Sequence, residues 1–228
     1  MPRGKVYATC DNALVDIADG DTVLIGGFAG FGVPRGLIAA LGQKSVRGLT
    51  CVYSPGSWPE YAKPSGFGQL VANGQVEKLI SAWPFTQDNG GIVGNAWQSG
   101  DLAIEIVPQG TLAERLRAAG AGLGGVFIPT GVGTRFAEGK ETRTFDQNEC
   151  IFELPLKADF ALVQAHTADT LGNVIYRGSG RNLGPVMAMA ANVSIAEAAR
   201  LCEPGGIDPE TVISSGIFVN RVVQMPKS

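Results

Sequence analysis

Short apolar segments alternate with amphipathic segments along the chain, and this alternation predicts an α/β protein. The predicted strands are Thr22–Ile25, Leu49–Tyr53, 78–82, 103–107, 125–129, 159–165 and 216–223. The predicted helices are 34–41, 110–120 and 185–191. Strands joined through helices run parallel and are covered on both faces. We therefore expect a three-layer α/β/α fold with an open, mostly parallel sheet, and a single domain spanning residues 1–228.

The helix predicted at 110–120 has the clearest end signals. Thr111 is followed three residues later by Glu114, which is the pattern of a capping box at a helix start. Gly120 stands where a glycine often ends a helix. We therefore expect Thr111 to cap this helix.

Composition excludes several classes of partner. A net charge of −3 and a pI near 5.2 give no general attraction to nucleic acid or to an anionic membrane. No apolar run approaches the roughly 20 residues that a membrane helix needs. The four cysteines are far apart and form no Cys-x-x-Cys pair, which is typical of reduced thiols. We expect a cytoplasmic protein.

The stretch 20–34, GDTVLIGGFAGFGVP, places a glycine-rich segment between a strand and a helix. A dinucleotide motif needs a third glycine where Arg35 stands, and the Gly-Lys-Ser/Thr of a P-loop is absent. Two interpretations stay open. The segment is either a tight strand-to-helix turn or a junction that packs against something large.

Two polar side chains on predicted strands favour structural roles. His166 has no nearby Cys or His, so it forms no zinc site, and we expect a packed histidine at a strand end. Glu105 stands between Ile104 and Ile106 and faces away from both. We expect Glu105 to be an edge-strand or ion-paired carboxylate. No metal site is predicted.

Gln109 and Ser54 are the candidate donors. Gln109 lies between a strand and the helix at 110–120, where the N–H groups of a helix start favour a carboxylate or thioester oxygen. Alternatively, it is a glutamine that only caps the loop. Ser54 follows the strand Leu49–Tyr53, and its alternative is a turn serine before Pro55. The sequence thus offers donors and bare backbone, but no poised nucleophile with a base.

The stretch 19–34 resembles the α-subunit signature of the family I coenzyme A transferases: an acidic residue and Gly, apolar residues, Gly-Gly-Phe, and Gly-x-Pro. The resemblance covers nearly the whole chain. It continues in PQGTLAERLRAAGAGLGG (108–125), PTGVGT (129–134), EGKETR (138–143), ADFALVQAHTADTLGNVIYR (158–177) and RNLGPVMAMAA (181–191). The segment GIFVNRVV (216–223) is most similar to the branch that acts on 3-oxoadipate and other 3-oxoacids with succinyl-CoA.

This resemblance implies half of an enzyme. In the family, the Gly-Gly-Phe loop helps to build a cleft between α and β subunits. The nucleophile is a glutamate in a Ser-Glu-Asn-Gly motif of the β subunit, and that motif does not occur here. The expectation is an α2β2 heterotetramer that transfers CoA from a donor such as succinyl-CoA to a 3-oxoacid by a ping-pong reaction. Coenzyme A and acyl-CoA are substrates, and no cofactor is permanently bound.

The resemblance also implies a substrate-binding and oxyanion region. It comprises Gly26, Gly27, Phe28, Gly30, Gly32, Ser54, Gln109 and Gly110, with no catalytic residue in this chain. Ser54 departs from the Ser-Asn-Asn of the oxoacid branch. Trp83 and Phe85, in AWPFTQDNGG (82–91), add apolar bulk and point to a bulkier or more apolar oxoacid. The alternatives are an α subunit of a CoA-ester hydrolase or lyase on the same scaffold, and a non-catalytic acyl-CoA-binding module.

Overall fold

The computed structural model describes residues 4–54, 65–85 and 91–225. In chain order the strands are β1 (Val6–Tyr7), β2 (Thr22–Ile25), β3 (Leu49–Tyr53), β4 (Val76–Ser81), β5 (Ala103–Ile106), β6 (Val126–Ile128), β7 (Thr142–Phe145), β8 (Asn148–Glu153), β9 (Ala158–Asp169), β10 (Val174–Ile175), β11 (Ala191–Cys202) and β12 (Arg221–Gln224). The α-helices are α1 (Cys10–Ala13), α2 (Arg35–Gln43), α3 (Phe67–Ala72), α4 (Gly91–Ser99), α5 (Gln109–Gly120) and α6 (Gly184–Ala190).

The central sheet has nine strands among the described residues. Its order is β1-β12-β11-β9-β2-β3-β4-β5, and β10 pairs with β9. All of these pairings are parallel except that of β10, so the strands of the main path point their carboxyl ends to one edge. Because β2 ends at Ile25, which pairs with Leu162 in the middle of β9, strands β9 and β11 continue well beyond it. The predicted parallel sheet is confirmed.

Helices cover both faces of this sheet. Along β2, Val23 and Ile25 enter the apolar cluster that includes α1 to α4, whereas Leu24 enters the cluster that includes α5 and α6. This alternation confirms the three layers, because a strand that is buried on both faces carries apolar side chains at every position. A separate antiparallel sheet, β6-β8-β7, follows α5. Within the described ranges, no helix is long and apolar enough to cross a membrane.

The predicted capping box is wrong. Helix α5 begins at Gln109, with Pro108 as its N-cap, so Thr111 is the third helical residue. Its hydroxyl is buried and has no hydrogen-bond partner among the described residues. Gly120 is the last helical residue. A glycine is required there by packing, because a Cβ would lie 2.6 Å from Cβ of Met189. The glycine therefore permits close packing of α5 against α6.

Several elements were not predicted. Helices α1, α3 and α4 and strands β1 and β11 have no counterpart among the predicted elements. Strand β11 makes the largest set of pairings in the sheet, from Ala191 beside Ala158 to Cys202 beside Asp169. Its sequence, ANVSIAEAARLC, is rich in alanine and breaks the apolar pattern with Glu197, which hides it from a pattern search.

Candidate functional site

Several residues from separate segments lie where neighbouring parallel strands end. Gly26 directly follows β2, Ser54 follows β3, and Ala82 follows β4. Gln109 lies three residues after the end of β5. Since these strands are adjacent and parallel, the sheet brings the predicted residues of three separate segments to one edge, which is where open α/β sheets bind ligands.

Ser54 and Gln109 are joined by a short hydrogen-bond chain. The backbone N–H of Ala82 donates to Oγ of Ser54 at 3.2 Å, and that hydroxyl donates to Oε1 of Gln109 at 2.9 Å. Ser54 is buried, with 4% of its surface exposed. Oε1 of Gln109 accepts this bond, and Nε2 is the atom through which the amide can donate to a ligand. Ser54 is thus bonded to Gln109, and Pro55, on which the alternative of a turn serine depends, lies outside the described residues.

The start of α5 adds backbone donors. Pro108 at the N-cap provides no side-chain cap, and within the described residues no side chain accepts from the first turn. Gly110 is exposed, and a Cβ there would meet nothing within 4 Å. The first N–H groups of an α-helix have no partner inside the helix and carry partial positive charge. Together with Nε2 of Gln109 they can hold a carboxylate.

The glycine-rich segment after β2 contains a tight turn. Phe28 and Phe31 exchange two backbone hydrogen bonds of 2.9 Å. The two residues between them, Ala29 and Gly30, have φ of 51° and 80°, as a type I′ turn requires. The rings at its ends are partly exposed, Phe28 by 38% and Phe31 by 63%. The turn therefore presents two partly exposed apolar rings at its ends.

Two glycines of this segment are required by packing inside the chain. A Cβ at Gly27 would lie 2.5 Å from Cγ2 of Val33, and one at Gly32 would lie 2.2 Å from the backbone oxygen of Gly180. Both also have positive φ, at 112° and 70°. Gly26 is buried, and its N–H donates to Leu162. These contacts support the interpretation as a tight strand-to-helix turn at these positions.

A buried carboxylate that was not predicted holds the start of α2. Oε2 of Glu197 on β11 accepts the backbone N–H of Leu37 at 2.8 Å. Burial raises the pKa of Glu197, while hydrogen bonds from Leu37 and Gly36 and the charge of Arg35 act in the opposite direction. A Cβ at Gly36 would lie 3.2 Å from this carboxylate. A single acidic residue inside an apolar, alanine-rich run was the available signal.

The other candidates from the sequence have clear outcomes. Glu105 lies on the edge strand β5 and pairs with Lys78 at 2.7 Å and with Arg115 at 3.0 Å. Burial tends to raise its pKa, but the two cations outweigh burial and the pKa is lowered. The predicted ion-paired carboxylate is confirmed. The prediction of a packed histidine at a strand end is wrong, because His166 lies within β9 and is exposed.

The aromatic segment after β4 lies at the same edge of the sheet. The side chain of Trp83 is 64% exposed, and its backbone N–H donates to Oγ of Ser81. Phe85 contacts Trp97 of α4 with ring centroids 5.1 Å apart. Residues 86–90, which complete the predicted segment, lie outside the described residues. The described part provides an exposed apolar surface one residue from Ala82, which is bonded to Ser54.

Comparison with known proteins identifies the family. The family model for coenzyme A transferase matches residues 7–225. The chain is 45% identical to a 3-oxoadipate CoA-transferase subunit of Acinetobacter baylyi, over 96% of this chain and 94% of that protein. It is 42% identical to one subunit of a probable succinyl-CoA:3-ketoacid coenzyme A transferase of Bacillus subtilis, over 96% and 90%. Among solved structures, a variant of the decarboxylase AibA/AibB superposes with a TM-score of 0.79 and 25% identity, over 98% of this chain and 84% of that chain.

Proposed function

The chain belongs to the coenzyme A transferase family, and we propose that it is the α subunit of a heteromeric CoA-transferase. The enzyme moves CoA from an acyl-CoA donor such as succinyl-CoA to a 3-oxoacid that resembles 3-oxoadipate. The observation that carries this proposal is the 45% identity to a 3-oxoadipate CoA-transferase subunit over nearly all of both chains. The donor array of Ser54, Gln109 and the start of α5 supports it, because it suits a carboxylate substrate.

The proposed partner is a β subunit that carries the nucleophilic glutamate in a Ser-Glu-Asn-Gly motif, in an α2β2 assembly. The relatives are themselves named as single subunits of their enzymes, which supports a second chain. A nucleophile on the partner chain is also supported by three glutamates of this chain whose carboxylates already have partners. Glu105 pairs with two cations, Glu153 pairs with Lys140, and Glu197 holds the start of α2. A nucleophile held by a cation in this way would be a poor one.

In the proposed reaction, the partner's glutamate attacks the acyl-CoA carbonyl and releases CoA thiolate, leaving an acyl-glutamyl anhydride. The thiolate then attacks the glutamyl carbonyl, which gives a glutamyl-CoA thioester and frees the donor acid. The acceptor acid repeats both steps in reverse. This chain holds the acid through Nε2 of Gln109 and the first turn of α5, and donors placed at the forming oxyanion lower the barrier.

Coenzyme A and acyl-CoA act as substrates in this proposal, and no cofactor is permanently bound. The proposed location is the cytoplasm, because the four cysteines are dispersed along the chain with no paired spacing.

One observation favours a second candidate function. The chain is 25% identical to a decarboxylase of the same fold, so an α subunit of a CoA-ester lyase or hydrolase is the alternative. The identity of the partner separates the two. A partner with the Ser-Glu-Asn-Gly motif supports transfer, and a partner without it supports the lyase.

The test is to purify this chain alone and together with the chain encoded beside it. CoA transfer from succinyl-CoA is then measured against a panel of 3-oxoacids, with free CoA and carbon dioxide measured in parallel. Transfer by the pair and none by this chain alone is the expected result. Transfer by the single chain at the rate of the pair, or release of carbon dioxide without transfer, contradicts the proposal.

A further inference from the structure

A cavity of about 380 Å³ lies between the glycine-rich segment and strand β9. Its described walls come from three parts of the chain. Phe31 and Gly32 belong to the segment after β2, residues 164–166 belong to β9, and residues 177–180 form the turn between β10 and α6, with Ala199 of β11 at the base. This volume is in the range of small-molecule sites.

The cavity has fixed walls. Gly32 and Gly180 pack backbone to backbone, since a Cβ at Gly32 would lie 2.2 Å from the oxygen of Gly180. The turn is also anchored just before Arg177, because the hydroxyl of Tyr176 shares a hydrogen bond of 2.8 Å with Ser214. A Cβ at Gly184 would lie 2.9 Å from the Tyr176 ring, so α6 packs closely against the same anchor. These contacts hold Arg177 at the cavity wall.

The wall carries donors and positive charge. The polar side chains that line it are those of Gln164, His166, Arg177 and Ser179, and none of its described lining residues is an Asp or Glu. Within the described part of the chain, Arg177 forms no ion pair. A guanidinium without a carboxylate partner, beside further donors, is suited to an anionic oxygen group.

The cavity lies within reach of a substrate that is bound at Gln109. In the sheet, β9 is separated from β3 by β2 alone, which corresponds to about 10 Å at two strand spacings. Ser54 follows β3, and the segment after β2 crosses between the two regions. An extended substrate can therefore place one end at Ser54 and Gln109 and a second anionic group in the cavity.

We propose that this cavity is a second anion site, which binds a carboxylate or phosphate group remote from the reacting end of the substrate, with Arg177 as the residue that determines specificity. The proposal rests on the proposed function, because the reacting end is placed at Gln109. Two sources supply such a group: the second carboxylate of a dicarboxylic acid, and the phosphates of coenzyme A.

The test uses equilibrium binding to the complex of this chain with its partner, so it does not depend on turnover. Adipate and coenzyme A are the two probes, titrated in a calorimeter, with butyrate as a single-carboxylate control. Arg177→Ala is expected to weaken one of the two probes about 10- to 100-fold, as for loss of a charge-assisted hydrogen bond, and to leave butyrate unchanged. Arg177→Lys keeps the charge and should recover part of the loss. Loss for adipate identifies the carboxylate, and loss for coenzyme A identifies the phosphate.

Arg200→Ala is the matched control, since Arg200 is exposed on β11 beside Ala199 but does not line the cavity. Equal losses in Arg200→Ala and Arg177→Ala, or unchanged binding of both probes in Arg177→Ala, overturn the proposal. Failure of both Arg177 variants to assemble with the partner also overturns it, because the cavity is then a contact between subunits. If the wild-type complex binds the probes but transfers no CoA, the proposed function is rejected. The anion site is then still decided by the binding of the probes to the Arg177 variants.

Discussion

Helices α2 and α5 begin in similar ways, but the N–H groups of their first turns differ in their hydrogen-bond partners. Each follows a parallel strand and has a proline at its N-cap, Pro34 and Pro108, and neither proline provides a side-chain cap. The first turn of α2 receives the buried carboxylate of Glu197 from β11. Within the described residues, no side chain accepts from the first turn of α5.

This difference separates a helix start that the fold itself fills from one that the described residues leave open. A helix start attracts an anion because its first N–H groups lack partners and carry partial positive charge. The fold supplies that anion to α2 through Glu197 and so fixes the helix that follows the glycine-rich segment. At α5 no described side chain fills the equivalent position, Gln109 is held there by Ser54, and we propose that the acid substrate binds there.

Replacing Glu197 should produce the largest loss of stability. Glu197→Ala leaves the buried N–H groups of Leu37 and Gly36 without an acceptor and opens a cavity. We expect the free energy of unfolding to fall by about 2–4 kcal/mol, measured by urea unfolding. Glu197→Gln keeps one acceptor oxygen and should lose less. Equal stability of Glu197→Ala and the wild type would show that α2 does not depend on this carboxylate.

Replacing Gln109 should mainly lower kcat/KM for the acid substrate. Gln109→Ala removes one hydrogen bond to the acid, worth about 0.5–1.5 kcal/mol, or up to about 3 kcal/mol when the acceptor is charged. This corresponds to a roughly two- to hundred-fold loss in kcat/KM for the acid, with a somewhat lower melting temperature because the buried Ser54 hydroxyl loses its acceptor. Gln224→Ala, at the exposed end of β12, is the control. Full activity with every acid, or a lower melting temperature alone, would make Gln109 a structural residue.

The stability that Glu197 contributes should depend on pH. Burial raises its folded-state pKa above the ordinary value of 4.5. The stabilisation from the protonated form is therefore fully present below about pH 4.5 and is lost as pH rises through the raised pKa. The difference in unfolding free energy, wild type minus Glu197→Gln, should therefore decrease as the pH rises above about 4.5 and passes through the raised pKa. Thermal unfolding at several pH values measures it, and a constant difference would contradict the raised pKa.

The smallest effect is expected at Thr111. Its hydroxyl is buried in α5 without a partner among the described residues, so Thr111→Val removes a polar group that is not satisfied. We expect the free energy of unfolding to change by less than about 0.5 kcal/mol. An N-cap threonine would instead cost about 1 kcal/mol on replacement. A loss of that size in chemical denaturation would restore the capping role.

The parallel sheet and its strand ends could be predicted from sequence because β2 and β3 are short, apolar and bounded by glycine or polar residues. Gln109 and Ser54 could be predicted as donors, but their hydrogen bond could not, because 55 residues separate them and only the sheet order joins them. Glu197 was missed because its partner, the start of α2, lies 160 residues away in the chain. The capping box failed because Pro108 had already begun the helix.

In the proposed enzyme, this chain holds the acid while its partner carries the acyl group. The direct measurement is borohydride treatment of the complex with and without acyl-CoA, followed by peptide mapping by mass spectrometry. We expect inactivation only after acyl-CoA is added, with one reduced glutamate in the partner chain. A reduced glutamate in this chain, at Glu105 or Glu114, would contradict the claim.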